Sequence, residues 1–359
     1  MLVELIYVFF FSFTTLFVMR KVAKRIGLVD KPNERKQHLG VVPLAGGISV
    51  CISVSYFLYQ KAGGSPQLYI LLISLMFLTL LGALDDKYDL SVKLRLALQT
   101  CVAVAMMHFT DYRLVSLGDP FGLGSIDLPL LGYGMTVFAV IAAINAFNMV
   151  DGIDGLLGGL SIVTFASLAL LGVIFGDMLT TSTCLIFICA IIPYVCMNLG
   201  LLGRKRKVFM GDAGSMMIGF AVVWLLLSVS QVTAEVSQSI RPVTALWLIA
   251  IPLMDMAAIM IRRIKRGDSP FKPDREHLHH IFQKLGFTST RTLVIIVLVS
   301  TSFALVGVLG EVFNIPEPLM FYSFVALFGL YHFALSNVYF LCGLFNSIFG
   351  TNLSIESAK

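Results

Sequence analysis

Long apolar runs separated by short polar joints repeat along the whole chain. In order they are 2–19, 45–58, 68–84, 94–109, 135–147, 156–175, 179–199, 215–229, 244–264, 292–309 and 319–339. They approach the roughly 20 residues a helix needs to cross a bilayer. No stretch of about ten residues with strict apolar–polar alternation recurs, which argues against a transmembrane β-barrel. The pattern predicts an all-α polytopic integral membrane protein with about eleven transmembrane helices. A last apolar stretch, 340–349, is too short to cross alone and is expected to lie at the interface or extend the final helix.

Charge placement sets the expected orientation. Arg20, Lys21, Lys24 and Arg25 follow the first run, and no small-residue cleavage site appears, so that run reads as an anchor and not as a removed signal peptide. With the N-terminus periplasmic and the C-terminus cytoplasmic, only Lys61, Arg113 and Arg241 of the 26 Lys and Arg residues fall outside. A wrongly phased set of helices would not give that asymmetry.

Composition agrees, with 57% hydrophobic and 13% charged residues and a mean hydropathy of +0.88. These values exclude disorder and an ordinary soluble domain. The net charge of +5 reports orientation, so no nucleic-acid partner is expected. The six cysteines sit in or beside apolar runs without metal-type spacing and read as small buried hydrophobes. Nothing marks a repeat or a second domain. Residues 1–359 are therefore read as one membrane-embedded domain with cytoplasmic candidate site loops 20–44, 85–95, 148–155, 200–214 and 262–291, while the outer loop 108–134 has the makings of a small hairpin.

Chemistry is expected where polar residues gather without a topological reason. Asp85, Asp86 and Asp89 follow the third run; on a continuing helix they share one broad face at the negative end of the helix dipole. Either Lys87, Lys93 and Arg95 serve there as ordinary counter-charges, or a magnesium or manganese ion is held by the carboxylate oxygens. Asn145, Asn148, Asp151, Gly152, Asp154 and Gly155 fill the joint between the fifth and sixth runs. A turn with Asp154 as helix N-cap accounts for one aspartate but not the set.

Arg204, Lys205, Arg206 and Lys207 precede Gly211, Asp212 and Gly214 at the start of the eighth run. Helix-start amides and lysines favour a phosphate there, and Asp212 could hold a metal bridging to it; topology alone explains the cations but not the aspartate. The longest inside loop carries Arg275, His277, His279 and His280. On a helix those histidines cannot all point one way and no cysteine is near, so hydrogen bonding to a polar or phosphorylated substrate fits better than zinc. Arg35, Lys36 and His38 stand either in a plain basic loop or on the substrate side of the same surface. Asp255 lies inside the ninth run, where it needs a partner or a proton. His108 and His332 read as structural. Carboxylates, cations and histidines on one surface suggest phosphoryl transfer at the cytoplasmic interface, with a lipid phosphate arriving from the bilayer.

Asp85-Asp86-Lys87-Tyr88-Asp89, the run 145–160, Phe209-Met210-Gly211-Asp212-Ala213-Gly214-Ser215 and His277-Leu278-His279-His280 closely resemble motifs of the polyprenyl-phosphate N-acetylhexosamine-1-phosphate transferase superfamily. The resemblance covers nearly the whole chain. The His-x-His-His loop is most like the bacterial members that start O-antigen and enterobacterial common antigen lipids, and less like those that act on muramoyl-pentapeptide. It implies transfer of GlcNAc-1-phosphate from UDP-GlcNAc to undecaprenyl phosphate in the bacterial inner membrane, with release of UMP and a need for Mg2+ or Mn2+. It further implies catalytic roles for Asp85 and Asp86, nucleotide binding or catalysis for Asp151 and Asp154, and metal ligation by Asp212 with Asp85. Arg35, His38, Asn148, Lys205, Lys207, Arg275, His277, His279 and His280 would contact substrate. A homodimer and another UDP-N-acetylhexosamine donor stay open.

Two other classes fit parts of the pattern. An intramembrane magnesium-dependent prenyltransferase shares the Asp-rich motifs but leaves the histidine loop and the 204–207 run unexplained. An ion-coupled transporter predicts carboxylates at mid-membrane between repeated halves, whereas only Asp255 lies well inside a run.

Overall fold

A computed structural model describes residues 1–31, 40–231, 240–269 and 277–338. Every apolar run carries helix, the conformation that satisfies all backbone polar groups within one segment. In chain order the helices are α1 (Leu2–Ile26), α2 (Gly46–Ala62), α3 (Pro66–Tyr88), α4 (Val92–Thr110), α5 (Leu131–Met149), α6 (Leu156–Phe175), α7 (Met178–Asn198), α8 (Gly211–Ser230), α9 (Pro242–Leu248), α10 (Ala250–Lys265), α11 (Leu278–Lys284), α12 (Ser289–Val312) and α13 (Glu317–Ser336). Among the described residues nine helices are long and apolar enough to cross a membrane, or ten if a bent pair counts as one. The remaining expected crossing, α2, has 17 residues, about 25 Å of helix. Length and composition thus give nine or ten crossings where the sequence predicts about eleven.

The ninth run departs from its expected straight helix. It breaks into α9 and α10, bent by 83°. Pro252 explains the break: in a continuous helix its ring would clash with the carbonyl of Leu248, four residues back, whereas the first turn of a new helix tolerates it. The freed Leu248 carbonyl accepts a hydrogen bond from Thr164 Oγ1 at 3.1 Å.

α8 is the axis of the fold. It is buried along nearly its whole length and packs against α3, α5 and α2. Two glycines permit the approach of its amino end: a Cβ on Gly82 of α3 would strike the backbone of Asp212 and Ala213, and one on Gly47 of α2 would strike that of Gly214.

The chain before α2 is sewn to the same place. β1 (Val29–Asp30) pairs antiparallel with β2 (Val42–Pro43). Phe209 N–H then donates to Pro43 O (3.0 Å), Gly46 N–H to Phe209 O (2.9 Å) and Gly47 N–H to Met210 O (3.0 Å). At the other end of the bundle the 108–134 loop forms the small hairpin expected, with Leu117 N–H donating to Ile126 O (3.0 Å) and Ile126 N–H to Gly118 O (2.9 Å). The five cysteines among the described residues are free thiols.

Candidate active site

The carboxyl end of α3 and the amino end of α8 meet head to tail, so α8's unsatisfied N–H groups face α3's acidic terminus. Asp86 accepts from the backbone N–H of Asp212 (3.0 Å, Oδ1) and of Ala213 (3.3 Å, Oδ2), capping α8 from another helix. Asp85 is buried; its Oδ1 accepts from Leu90 N–H at 2.8 Å and its Oδ2 from Arg95 Nη1 at 2.6 Å. The same guanidinium nitrogen lies 3.8 Å from Asp212 Oδ2. Asp212 Oδ1 accepts from Asn148 Nδ2 at 2.7 Å, and that amide also reaches Ser215 Oγ at 2.9 Å. Both Asp85 and Asp86 act electrostatically on the Asp212 carboxyl. Arg95 therefore bridges Asp85 and Asp212, while Asp86 grips the backbone at the start of α8 beside them. Asp89 does not join them: α3 ends at Tyr88, and Asp89 turns into the left-handed region at φ 52° as its C-cap. That corrects the single acidic face expected of a continuing helix.

A second group stands beside the first. Lys207 Nζ donates to Asp154 Oδ2 at 2.6 Å and lies 5.0 Å from the centre of the Phe209 ring. Gly155, not Asp154, is the N-cap of α6, so Asp154 keeps its carboxylate for the lysine. Asn198 ties the strands of this corner together, accepting from Gly155 N–H at 2.5 Å and donating to Val208 O at 2.9 Å. Asp151 is half-buried on the same turn, close enough to Tyr194 to act on its hydroxyl together with Asp154.

The histidines form the third group. His277 Nδ1 lies 3.0 Å from Asp255 Oδ2, while Asp255 Oδ1 accepts from Leu278 N–H (3.0 Å) and Tyr331 Oη (2.8 Å). Asp255 thus has the partners its depth demands. His277 is the N-cap of α11, in extended conformation, so the three rings gather despite the expectation from a helix. Their centroids are 5.6 Å apart for His277 and His279, 6.3 Å for His277 and His280, and 4.1 Å for His279 and His280. His279 packs on Gly152, where any Cβ would strike its Nε2; this contact joins the histidine group to the 151–155 turn. Burial, with His280 and His277 beside it, pushes the His279 pKa down to about 3, so its ring is neutral.

Asp85, Asp86, Asn148 and Asp212 are thus in one constellation, Asp154 with Lys207 next to it, and His277, His279 and His280 behind the 151–155 turn. Lys205 is exposed on the short turn Arg204–Arg206, its carbonyl accepting from Arg20. Arg35, His38, Arg275 and the 340–349 stretch lie outside the described residues. Arg95 and Tyr331 were not singled out in the sequence as site residues. Arg95 reads there as one of three ordinary counter-charges, and its distance of ten residues from Asp85 is the signal that would have served, since it faces back from the first turn of the next helix. Tyr331 lies in an apolar run and gives no such signal.

Among the described residues no three His, Cys, Asp or Glu side chains stand together as a ready metal cage. The donor set nevertheless suits a hard divalent cation. All three carboxylates have protein partners, but Asp212 Oδ2 stands 3.8 Å from the Arg95 guanidinium and beside the Asp85 carboxyl, where a cation would relieve the crowding of like charge. Magnesium characteristically takes one or two protein carboxylates and completes its shell with water and substrate phosphate.

The family model described as Glycosyl transferase family 4 matches residues 67–230, the segment that contains all three carboxylates and Asn148. Among curated proteins, the undecaprenyl-phosphate alpha-N-acetylglucosaminyl 1-phosphate transferase of Yersinia pestis is 50% identical over 337 residues, covering 94% of this chain and 92% of that protein. The protein of the same name in Escherichia coli strain K12 is 48% identical, with 94% and 91% covered, and that of Haemophilus influenzae 45% identical, with 91% and 92% covered. Similarity of this depth along nearly the entire length shows that the chain belongs to the glycosyl transferase family 4, among the undecaprenyl-phosphate alpha-N-acetylglucosaminyl 1-phosphate transferases.

Proposed function

We propose that this chain transfers GlcNAc-1-phosphate from UDP-GlcNAc to undecaprenyl phosphate and releases UMP. The observation that carries the reading is the gathering of Asp85, Asp86 and Asp212 at the amino end of α8, with Arg95 bridging Asp85 and Asp212. Such a site is built to take up a cation together with anionic phosphates. The names of the relatives supply the donor and acceptor.

In the reaction an oxygen of the lipid phosphate bonds to the sugar-bearing phosphorus. The bond from that phosphorus to the bridging oxygen breaks, and its electron pair leaves with UMP. A bound Mg2+ or Mn2+ supplies charge neutralisation on the diphosphate, and Asp212 would hold it, with Asp85 joining where Arg95 releases it. The 2.6 Å contact with Arg95 engages Asp85, so Asp86 is the group assigned to accept a proton from the lipid phosphate. Asn148 orients Asp212 through a 2.7 Å hydrogen bond. Lys207, already paired with Asp154, would meet a departing phosphate, and Asp151, His277, His279 and His280 would position the sugar nucleotide. Arg35, His38, Lys205 and Arg275 complete the substrate contacts in this reading.

The finer setting belongs to the same proposal: one domain, eleven crossings with α2 and the bent pair each counted once, a periplasmic N-terminus, cytoplasmic site loops, the bacterial inner membrane, and a product that starts O-antigen or enterobacterial common antigen lipids. The test uses purified protein with labelled UDP-GlcNAc, undecaprenyl phosphate and Mg2+. Label entering the organic phase with equal UMP in the aqueous phase, abolished by chelation, is the expected result. Pyrophosphate release in place of UMP, or no turnover by folded protein across UDP-N-acetylhexosamines, would overturn it.

A further inference from the structure

A cavity of about 610 Å³ opens between the end of α10, α11 and the last turns of α13, within the roughly 300–1,000 Å³ of small-ligand pockets. Arg262, Lys265, Arg266, Lys284 and His332 line it, and no Asp or Glu is among its described lining residues. Plain positive-inside topology spreads cations through loops. Here four of them converge from α10 and α11 on one hollow, and Arg262 is only 9% exposed. His332 Nδ1 is buried without a hydrogen-bond partner among the described residues.

Apart from Ser336 and Asn337, the remaining wall is apolar and belongs to the flank of the bundle. Phe333 and Leu335 contribute to it, and on the same stretch of α13 Leu330 is 65% and Phe333 52% exposed. Exposed side chains of that kind on a helix apolar enough to cross a membrane are solvated by acyl chains. A cationic hollow beside such a flank matches the amphiphilic shape of a lipid: a phosphate among the cations, chains along α13.

We infer that this cavity binds the phosphodiester headgroup of an anionic bilayer phospholipid, at a site separate from the carboxylates. The lipid would also brace the catalytic groups. Ile281 and Lys284 of α11 line the cavity, while His279 at the start of the same helix packs on Gly152. On α13, Tyr331 bonds Asp255 and its neighbour His332 faces the hollow.

The experiment uses the full-length chain, delipidated and reconstituted with phosphatidylcholine alone or with added phosphatidylglycerol, and counts retained lipids by native mass spectrometry beside thermal midpoints. Wild type is expected to retain phosphatidylglycerol in preference to phosphatidylcholine and to melt higher with it. A K265Q/R266Q/K284Q variant is expected to bind phosphatidylglycerol roughly a hundredfold more weakly, as follows from losing three near-surface cations, with its midpoint in phosphatidylcholine unchanged. Lys265 is exposed, so K265Q alone keeps the test valid if the triple variant misfolds, with about a fivefold loss expected. Equal retention of both lipids by wild type, or undiminished phosphatidylglycerol retention in the variants, would overturn the site. Stabilisation by soluble glycerol 3-phosphate or inorganic phosphate as strong as that by the lipid would overturn the lipid assignment.

Discussion

The two ends of α8 both meet buried acids, and they treat them differently. At its far end Glu311, 8% exposed, accepts from Arg241 Nε and from Arg241 N–H, each at 3.2 Å, and from the hydroxyl of Thr244. The rest of that guanidinium is spent on the carbonyls of Ile315 (2.5 Å) and Gly310 (2.7 Å). Glu311 is thus locked by its donors, with Glu317 and Asp119 close by on the same pocket wall. At the near end two carboxylates, Asp85 and Asp212, meet one guanidinium, and Asp86 beside them accepts from the helix amides. Burial and charge are common to both. The far end locks Glu311 with a full set of donors, whereas at the near end a single guanidinium nitrogen is divided between Asp85 and Asp212, an arrangement that a bound cation could complete.

The sharpest break of this comparison removes carboxylates at the two ends in turn. Asp212→Asn and Asp85→Asn are expected to lower UMP release by roughly 10²–10³-fold, the scale for a group that stabilises transferred charge, while the thermal midpoint stays within a few degrees. Retained turnover in both variants would remove the near end from the chemistry. Glu311→Gln is expected to do the opposite, costing about 3 kcal/mol of stability because Arg241 loses its partner in a largely buried site. Turnover per folded molecule should stay near wild type, as measured by activity normalised to the folded fraction.

A smaller effect probes how the near end is held. Gly82→Ala forces a Cβ into the backbone of Asp212 and Ala213, and an overpacked contact of that kind costs about 1–3 kcal/mol. Both stability and turnover should fall, since the carboxylates of α3 and the start of α8 separate together; a stable variant with full activity would mean the approach is not needed. Tyr331→Phe removes one of the hydrogen bonds on Asp255 and is expected to cost about 1 kcal/mol, seen in denaturation and as a rise in KM for the sugar nucleotide.

The smallest effect concerns pH. His279, with its pKa near 3, stays neutral in the fold but protonates near 6.5 when unfolded. Its contribution is therefore complete above pH 6.5 and declines as pH falls toward 3. Between pH 7 and 6 the loss is about 0.7 kcal/mol. His279→Gln should flatten that part of the stability profile without altering it above pH 7.

The helices were legible because a bilayer-length apolar run has one good solution for its backbone; the runs 68–84 and 215–229 became α3 and α8 with only their ends displaced. The aspartates, Asn148 and the His-x-His-His loop were legible as chemistry because polar groups beside such runs are costly without a purpose. Three things were not. Asp89 was grouped with Asp85 and Asp86 by helical spacing, but a left-handed cap ends the helix first. The ninth run reads as one span, although Pro252 carried the signal for its break. Arg95 looked like any surface cation until α4 folded back on α3.

The sequence by itself determined the all-helical class, the membrane-crossing runs and the kinds of group at the site, since hydropathy and residue chemistry are local properties. Only the tertiary structure decided that Asp86 grips the backbone of Asp212 and Ala213 at the start of α8, that Lys207 answers Asp154, and that His279 rests on Gly152. Those pairings join positions 53 to 127 residues apart, and the distances that fix their electrostatics exist only once the helices are packed.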